Sequence, residues 1–377
     1  MTTVPRLARR QFIKNMAASS VVAAFPAINF AQSASVAPER QFNPQPGAWR
    51  TFDVTTRVDL LKPQGTTRVW LPVPSLNTTW QQSLPSTFTS NGQGELSEDR
   101  ANGVRMLQVL FAGSEDKPFV ELTSRIQTQN RATAWSAPAA GSTEDAASLK
   151  LWTQPTALLP TDGIVRKTAL EATRGASTDV EKAQKLYDWI VANTFREPKV
   201  RGCGEGDIKT MLETGNLGGK CADLNALFVG LCRSVGLPAR DVYGLRVAPS
   251  AFGYRELGGT SANLKGAQHC RAEVHLSGRG WVAMDPADVA KVMRQETPDW
   301  IKSPQHALVA PVNKALFGGW EGNWMAFNTA HDLALPGAKG PKLGFFMYPV
   351  AENAGGRFDS YAPDDFKYQI SAREILT

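Results

Sequence analysis

Cysteine and histidine are scarce in this chain, with four of each in 377 residues. Cys203, Cys221, Cys232 and Cys270 contain no C-x-x-C pair, which removes the usual zinc-ribbon and dithiol redox motifs. A redox protein would also need a resolving cysteine close to Cys221 in sequence, and none is there. Four cysteines in so long a chain do not make a disulfide framework. Basic runs interleaved with aromatics are missing too. Arg6, Arg9, Arg10 and Lys14 all precede the first acid, so of the formal charge of +6 only +2 remains from Pro38 onward. A nucleic-acid footprint is therefore absent. No Asp-x-Asp-x-Asp-Gly loop occurs, so no metal requirement is expected, and no other cofactor motif stands out. Long apolar runs are also lacking, which argues against a membrane span in the mature chain. An apolar fraction of 42% and a charged fraction of 20% leave an ordinary globular protein.

The first segment reads as an address. "RLARRQFIKNMAASSVVAAFPAINFAQSASVA" has a basic start, a short apolar middle and a small-residue end suited to a signal peptidase. Arg9-Arg10-Gln11-Phe12-Ile13-Lys14 resembles a twin-arginine export signal, with Ala8 where serine is common. Residues 1–37 are expected to direct the folded chain to the periplasm or beyond.

From Trp49 to about Arg131, short alternating apolar and polar runs are separated by Gly, Pro, Asn and Ser. They predict a β-sandwich over 38–133. Residues 134–165, rich in Ala, Ser, Gly and Pro at their start, read as a linker or loose loop. The texture then turns helical over 166–300. "STDVEKAQKLYDWIVANTF" predicts a helix capped within Ser177–Asp179, "GDIKTMLETG" a short one stopped by Gly215, and Cys221 to about Val235 a third ended by Gly236. "AQHCRAEVHL" and "GWVAMDPAD" follow as strands joined by the turn "SGRG". Helices followed by antiparallel strands make an α+β domain. Residues 301–377, rich in Gly and aromatics, are expected to extend that core with further strands.

The chemistry gathers in the core. Cys221 stands at a helix start after Gly218-Gly219, where unpaired N–H groups and the helix dipole favour a thiolate. The same position suits an inert core cysteine. A thiolate that attacks a carboxamide needs a base and an orienting group. Alternation along the strand puts His269, Arg271, Glu273 and His275 on a polar face and Cys270, Ala272, Val274 and Leu276 on a core face. His269 can then reach a cleft. Pairing through the Ser277–Gly280 turn sets 272–273 against 284–285, so Asp285 lies diagonally from His269.

"GGKCADLNALFVGLCRSVGLPAR", followed by "HCRAEVHLSGRGWVAMDPAD", resembles the core of the transglutaminase-like family across roughly 170–290. That family joins a Gly-x-Cys helix start to a His-x-x-x-Glu-Val strand and a Gly-Trp-Val-x-x-Asp-Pro strand. The resemblance implies a papain-like core of helices on an antiparallel sheet. It also implies a triad of Cys221 as nucleophile, His269 as base and then acid, and Asp285 as orienter. The substrate would be a peptide or protein amide, with water or an amine as acceptor. This sequence departs from the family pattern at Cys270-Arg271, which puts substrate contacts in question. The Cys221 N–H would serve as one oxyanion donor, with Trp189 and Asn193 as candidates for the second.

The remaining polar residues have plainer readings. Cys203, in a glycine-rich loop, can border the cleft or bridge another cysteine, Cys270 for instance, and its plain readings are a solvated loop thiol or a disulfide partner. Cys232 and Cys270 are packed thiols, and His275 and Glu273 are exposed. Asp223 and Asp288 are helix-start and turn residues. His331, Trp320 and Trp324 belong to a tail that covers the sheet. A zinc site from Cys203, Cys221, Cys270 and His269 lacks paired short-spacing ligands. The rival to an enzyme is a non-catalytic module that keeps the fold and binds a partner in the cleft.

Overall fold

A computed structural model describes residues 40–61, 64–138 and 144–376; the export-like segment, 1–37, lies outside them. The first part of the chain forms two antiparallel sheets. One pairs Tyr368–Ile375 with Arg50–Asp59, then Phe119–Thr128, then Gln81–Ser90. The other runs Gly356–Arg357, Val350–Asn353, Thr67–Val73, Val104–Phe111, Gln93–Asp99. Strict alternation makes these strands. In Arg50–Asp59, Phe52, Val54, Thr56 and Val58 are buried and their neighbours are not.

One expectation is corrected here. Residues 301–377 do not all extend the core. Trp324–Asn328 does, pairing with Ala239–Arg246, but Val350–Asn353 and Tyr368–Ile375 complete the two sheets built from the chain's first part. Open edges recruit partners by hydrogen bonding, and which distant segment fills an edge is not written in local periodicity.

The core sheet orders Gly280–Met284, Gln268–Leu276, Ala239–Arg246 and Trp324–Asn328, all antiparallel. Ala272 faces Met284, the register expected from the four-residue turn. Against this sheet lies the helix Cys221–Ser234, all fourteen of whose residues are buried. A helix apolar on every side belongs inside a protein. Around it pack Gly163–Ala172 and Asp179–Asn193. Thr178 caps the latter and Glu181 returns the bond, a full capping box. Gly215 and Gly236 end their helices at φ 69° and 83°. Leu227→Ala, deep in this core, should cost about 2–5 kcal/mol in a denaturant melt. A loss below about 1 kcal/mol would mean the helix is not clamped as described.

The stretch expected as a loose linker is partly ordered. Arg279 donates to the carbonyls of Ala134, Trp135 and Ala137 at 3.1, 2.9 and 2.6 Å, and Asp145 caps the helix Ala146–Leu151. Among the described residues, no helix is long and apolar enough to cross a membrane.

The strand Gln268–Leu276 is buried on both faces, which overturns the reading of Glu273 and His275 as exposed. Glu273 is only 1% exposed and forms ion pairs with Arg131 and Arg240. His275 packs its ring at 5.5 Å from that of Trp281. The strand is covered on one side by the helix Cys221–Ser234 and on the other by Arg131, paired with Glu273, and by Trp320 and Trp324, which stack on Arg271. Strand alternation predicts two faces, but not that a second layer will cover the polar one.

Candidate active site

Cys221 is the first residue of its helix, and Lys220 before it is extended (φ −112°, ψ −166°). The Asp223 carboxylate accepts the N–H of Lys220 at 2.8 Å and those of Glu205 and Gly206 at 2.9 Å each. Asp223 is thus more than a helix-start charge: it ties the loop carrying Cys203 to the start of the cysteine helix. Gly204 in that loop has φ 91°, and a Cβ there would overlap the Asp223 carboxylate.

Cys203 is buried and free, neither solvated nor bridged. Its thiol donates to the Gln268 carbonyl at 3.2 Å and accepts from the Tyr348 hydroxyl at 3.1 Å. Cys270 is buried and free as well, and it is not a mere packing thiol. Cys203, Cys270 and His269 gather around the Cys221 sulfur. Burial alone would push the Cys221 thiol up. These three polar neighbours, with the charge on His269, outweigh burial and hold it well below its ordinary value. Cys203 and Cys270 are pushed well up, Cys203 first by its hydrogen bond to Cys221 and Cys270 first by burial, so both stay protonated. Cys232, fully buried three turns along the helix, is the core thiol expected.

His269 is held from three directions. Nε2 lies 2.7 Å from Asp285 Oδ2 and 3.3 Å from Asp288 Oδ2, which leaves Nδ1 for the sulfur. Its carbonyl accepts the Trp324 indole N–H at 2.8 Å. Opposite His269 stands Gly244, where a Cβ would overlap the Trp324 ring and the Met325 carbonyl. Burial, and then Arg246, lower the imidazole pKa, but Asp288 and Asp285 outweigh them and raise it to about 9.

Asp285 caps the helix Pro286–Gln295, accepting from Asp288 N at 3.2 Å and from Asn225 Nδ2 at 3.1 Å. Asn225 also donates to the Cys270 carbonyl at 2.8 Å, so one amide on the cysteine helix locks the histidine strand to the aspartate. Arg271 Nε lies 3.5 Å from Asp285 Oδ2, and its guanidinium stacks 4.6 Å from the centre of the Trp324 ring. Arg271 therefore supports the aspartate from the buried side and makes no part of the cleft wall. Asp288 pairs with Arg246 at 2.5 Å and is no simple turn residue. Burial would raise its carboxyl, but Arg246 and His269 hold it well below the usual range.

The charges balance: thiolate, Asp285 and Asp288 against His269, Arg246 and Arg271. His269, Asp285 and Asp288 are close enough together to share a cation. With a guanidinium already beside each carboxylate, the group reads instead as an ion-pair network around the imidazole.

A cavity of about 240 Å³ opens beside Cys221 and His269. The tail shapes it after all, through Tyr348, Tyr361 and Tyr368. His331 does not: it sits by Asp241 at 3.3 Å, away from Cys221. Trp189 and Asn193 are absent from the cavity wall, and the Asn193 amide bonds the carbonyl of Trp189 in its own helix at 2.8 Å. Neither is placed to serve as an oxyanion donor. Arg246 and Asn225 were missed by sequence reasoning, Asp288 was placed beside the site but read as a turn residue, and Cys203 borders the cleft, one of the places open to it. Only the Asp285-Pro-Ala-Asp288 spacing offered a signal, since a cap residue and the residue three positions on meet at a helix start.

Residues 166–286 match the transglutaminase-like superfamily. An uncharacterized protein of Haemophilus influenzae is 33% identical over 343 residues, covering 86% of this chain and 91% of its own. The chain belongs to the transglutaminase-like superfamily. A solved structure of a candidate cysteine protease from Cytophaga hutchinsonii shares the fold, with TM-score 0.51 and 13% identity over 88% of this chain and 93% of that one. Cys221, His269 and Asp285 all fall inside the stretch matched to the superfamily.

Proposed function

We propose that this transglutaminase-like protein cleaves or transfers amide bonds through a thioester on Cys221, with His269 as base and acid and Asp285 as orienter. The observation that carries the reading is that Cys221, at the start of a buried helix, and His269, whose Nε2 lies 2.7 Å from Asp285 Oδ2, face one cavity. The thiolate attacks the amide carbonyl, and the oxyanion meets the Cys221 N–H, which among the described residues has no other acceptor. The imidazolium gives its proton to the departing nitrogen as the C–N bond breaks. His269 then takes a proton from water, which attacks the thioester and frees the thiol. Water is favoured over an amine because the cavity wall is cationic and repels an ammonium acceptor. The substrate is a peptide or protein of the cell envelope, a reading supported by the twin-arginine pattern at Arg9-Arg10. Export of a folded chain suits four thiols that need no oxidation.

The test incubates the full chain with envelope peptides, with and without a labelled primary amine, and follows acid product, released amine and enzyme mass. Acid product with a thioester mass on Cys221, falling by roughly 10³ or more in Cys221→Ala, is expected. Activity that survives Cys221→Ala would overturn the mechanism. Partner capture unaffected by Cys221→Ala, with no turnover, would establish the non-catalytic module.

A further inference from the structure

The wall of the Cys221 cavity carries more positive charge than amide chemistry requires. Arg196, Lys220, Arg246, Lys265 and Lys291 line it, and no aspartate or glutamate does. Three of these are answered from behind: Arg246 by Asp288, Lys265 by Asp364 and Lys291 by Glu256. Arg196 reaches only a neutral group, Gln295 Oε1 at 3.0 Å. Among the described residues, neither Arg196 nor Lys220 has a carboxylate within ion-pair distance. The Lys220 ammonium is pulled down, first by burial and then by Arg196, and the thiolate and Asp223 offset only part of this. Two cations are thus crowded together beside the nucleophile. The nearby hydroxyls are already spent: Tyr348 donates to Cys203, Tyr361 to the Gly204 carbonyl and Tyr368 to the Ser360 carbonyl.

We propose that the cleft selects acyl donors carrying a carboxylate close to the scissile carbonyl, held by Lys220 and Arg196. The proposal rests on the thiol acyl-transfer reading of Cys221. A guanidinium fork and an ammonium together bind a carboxylate through charge-assisted hydrogen bonds, and partial exclusion of water strengthens them. The half-buried cations gain the counter-charge that the protein does not supply. Lys265 and Lys291, already paired, add a field that draws an anion inward. Acidic peptides with a free carboxylate beside the cleaved amide are the substrate class.

The experiment uses two alkylating reagents that differ in charge, iodoacetate and iodoacetamide, on the full chain at low ionic strength. The modified cysteine is located by peptide mass mapping. The iodoacetate-to-iodoacetamide rate ratio at Cys221 should exceed that of a simple thiol by about tenfold. Lys220→Gln and Arg196→Gln should each lower the ratio by about three- to tenfold, Lys220→Arg should keep it, and about 0.5 M NaCl should compress it. His269 is common to all these variants, so its own charge cancels in the comparison. Fast reaction with iodoacetamide and a ratio unmoved by both Gln variants would overturn the carboxylate site alone. Slow reaction with both reagents would overturn the thiolate reading beneath it.

Discussion

Cys221 should alkylate fast at pH 6 in the native protein and at least about 100-fold more slowly in His269→Ala. Burial opposes a thiolate, and the polar neighbours of the sulfur overcome it. Removing the imidazole deletes one polar neighbour and the positive charge that favours the thiolate. Two pH units of upward shift give the hundredfold. The sign also sets the shape of the profile. The imidazole is raised to about 9, so the ion pair spans the range between the depressed thiol and that value. Amide turnover needs both the thiolate and the imidazolium. It should rise through the thiol's low titration and fall again near pH 9, a bell with a broad top. Alkylation needs only the thiolate and should not fall there. Rates recorded with iodoacetamide from pH 4 to 10, in the native chain and in His269→Ala, decide the matter. Equal rates in the two proteins at pH 6 would sink the thiolate–imidazole pair.

Arg271→Leu should destabilise the chain by about 3–5 kcal/mol at pH 7. Leucine keeps apolar contact with Trp320 and Trp324, so the loss is chiefly electrostatic. The Asp285 carboxylate would keep only the imidazole as a charged partner, with Asp288 still repelling it in a site that excludes water. Removing one partner of a buried ionic group costs far more than replacing the group as a whole. Arg271→Leu combined with Asp285→Asn should therefore recover part of the stability while leaving turnover low. Urea melts of the three proteins test both halves. A single variant as stable as the native chain would show that Asp285 does not depend on the guanidinium.

Arg271 also shows how far the sequence could be read. In the sequence it marks a departure beside His269 that puts substrate contacts in question; in the structure it braces the aspartate from behind. Strand alternation placed it on the same face as His269 correctly. It could not show that Trp320 and Trp324, some fifty positions later, would bury that face.

What the sequence by itself determined is local. Helix limits followed from caps and glycines at Thr178, Gly215 and Gly236, and the hairpin register Ala272–Met284 followed from a four-residue turn. A cysteine at a helix start and a later histidine strand were legible because each depends on neighbours within a few positions, whereas the stretch read as a strand through Asp288 ends at Met284 and becomes the helix Pro286–Gln295. The tertiary structure alone decided the rest. It brought Cys203 and Cys270 to the nucleophile, set Asp288 and Arg246 behind the imidazole, and gathered cations from positions 196 to 291 around one cavity. It also sent the strands at 350–353 and 368–375 back to the first part of the chain. Such contacts are chosen by shape, burial and charge balance across the whole core, and no short window of sequence records them.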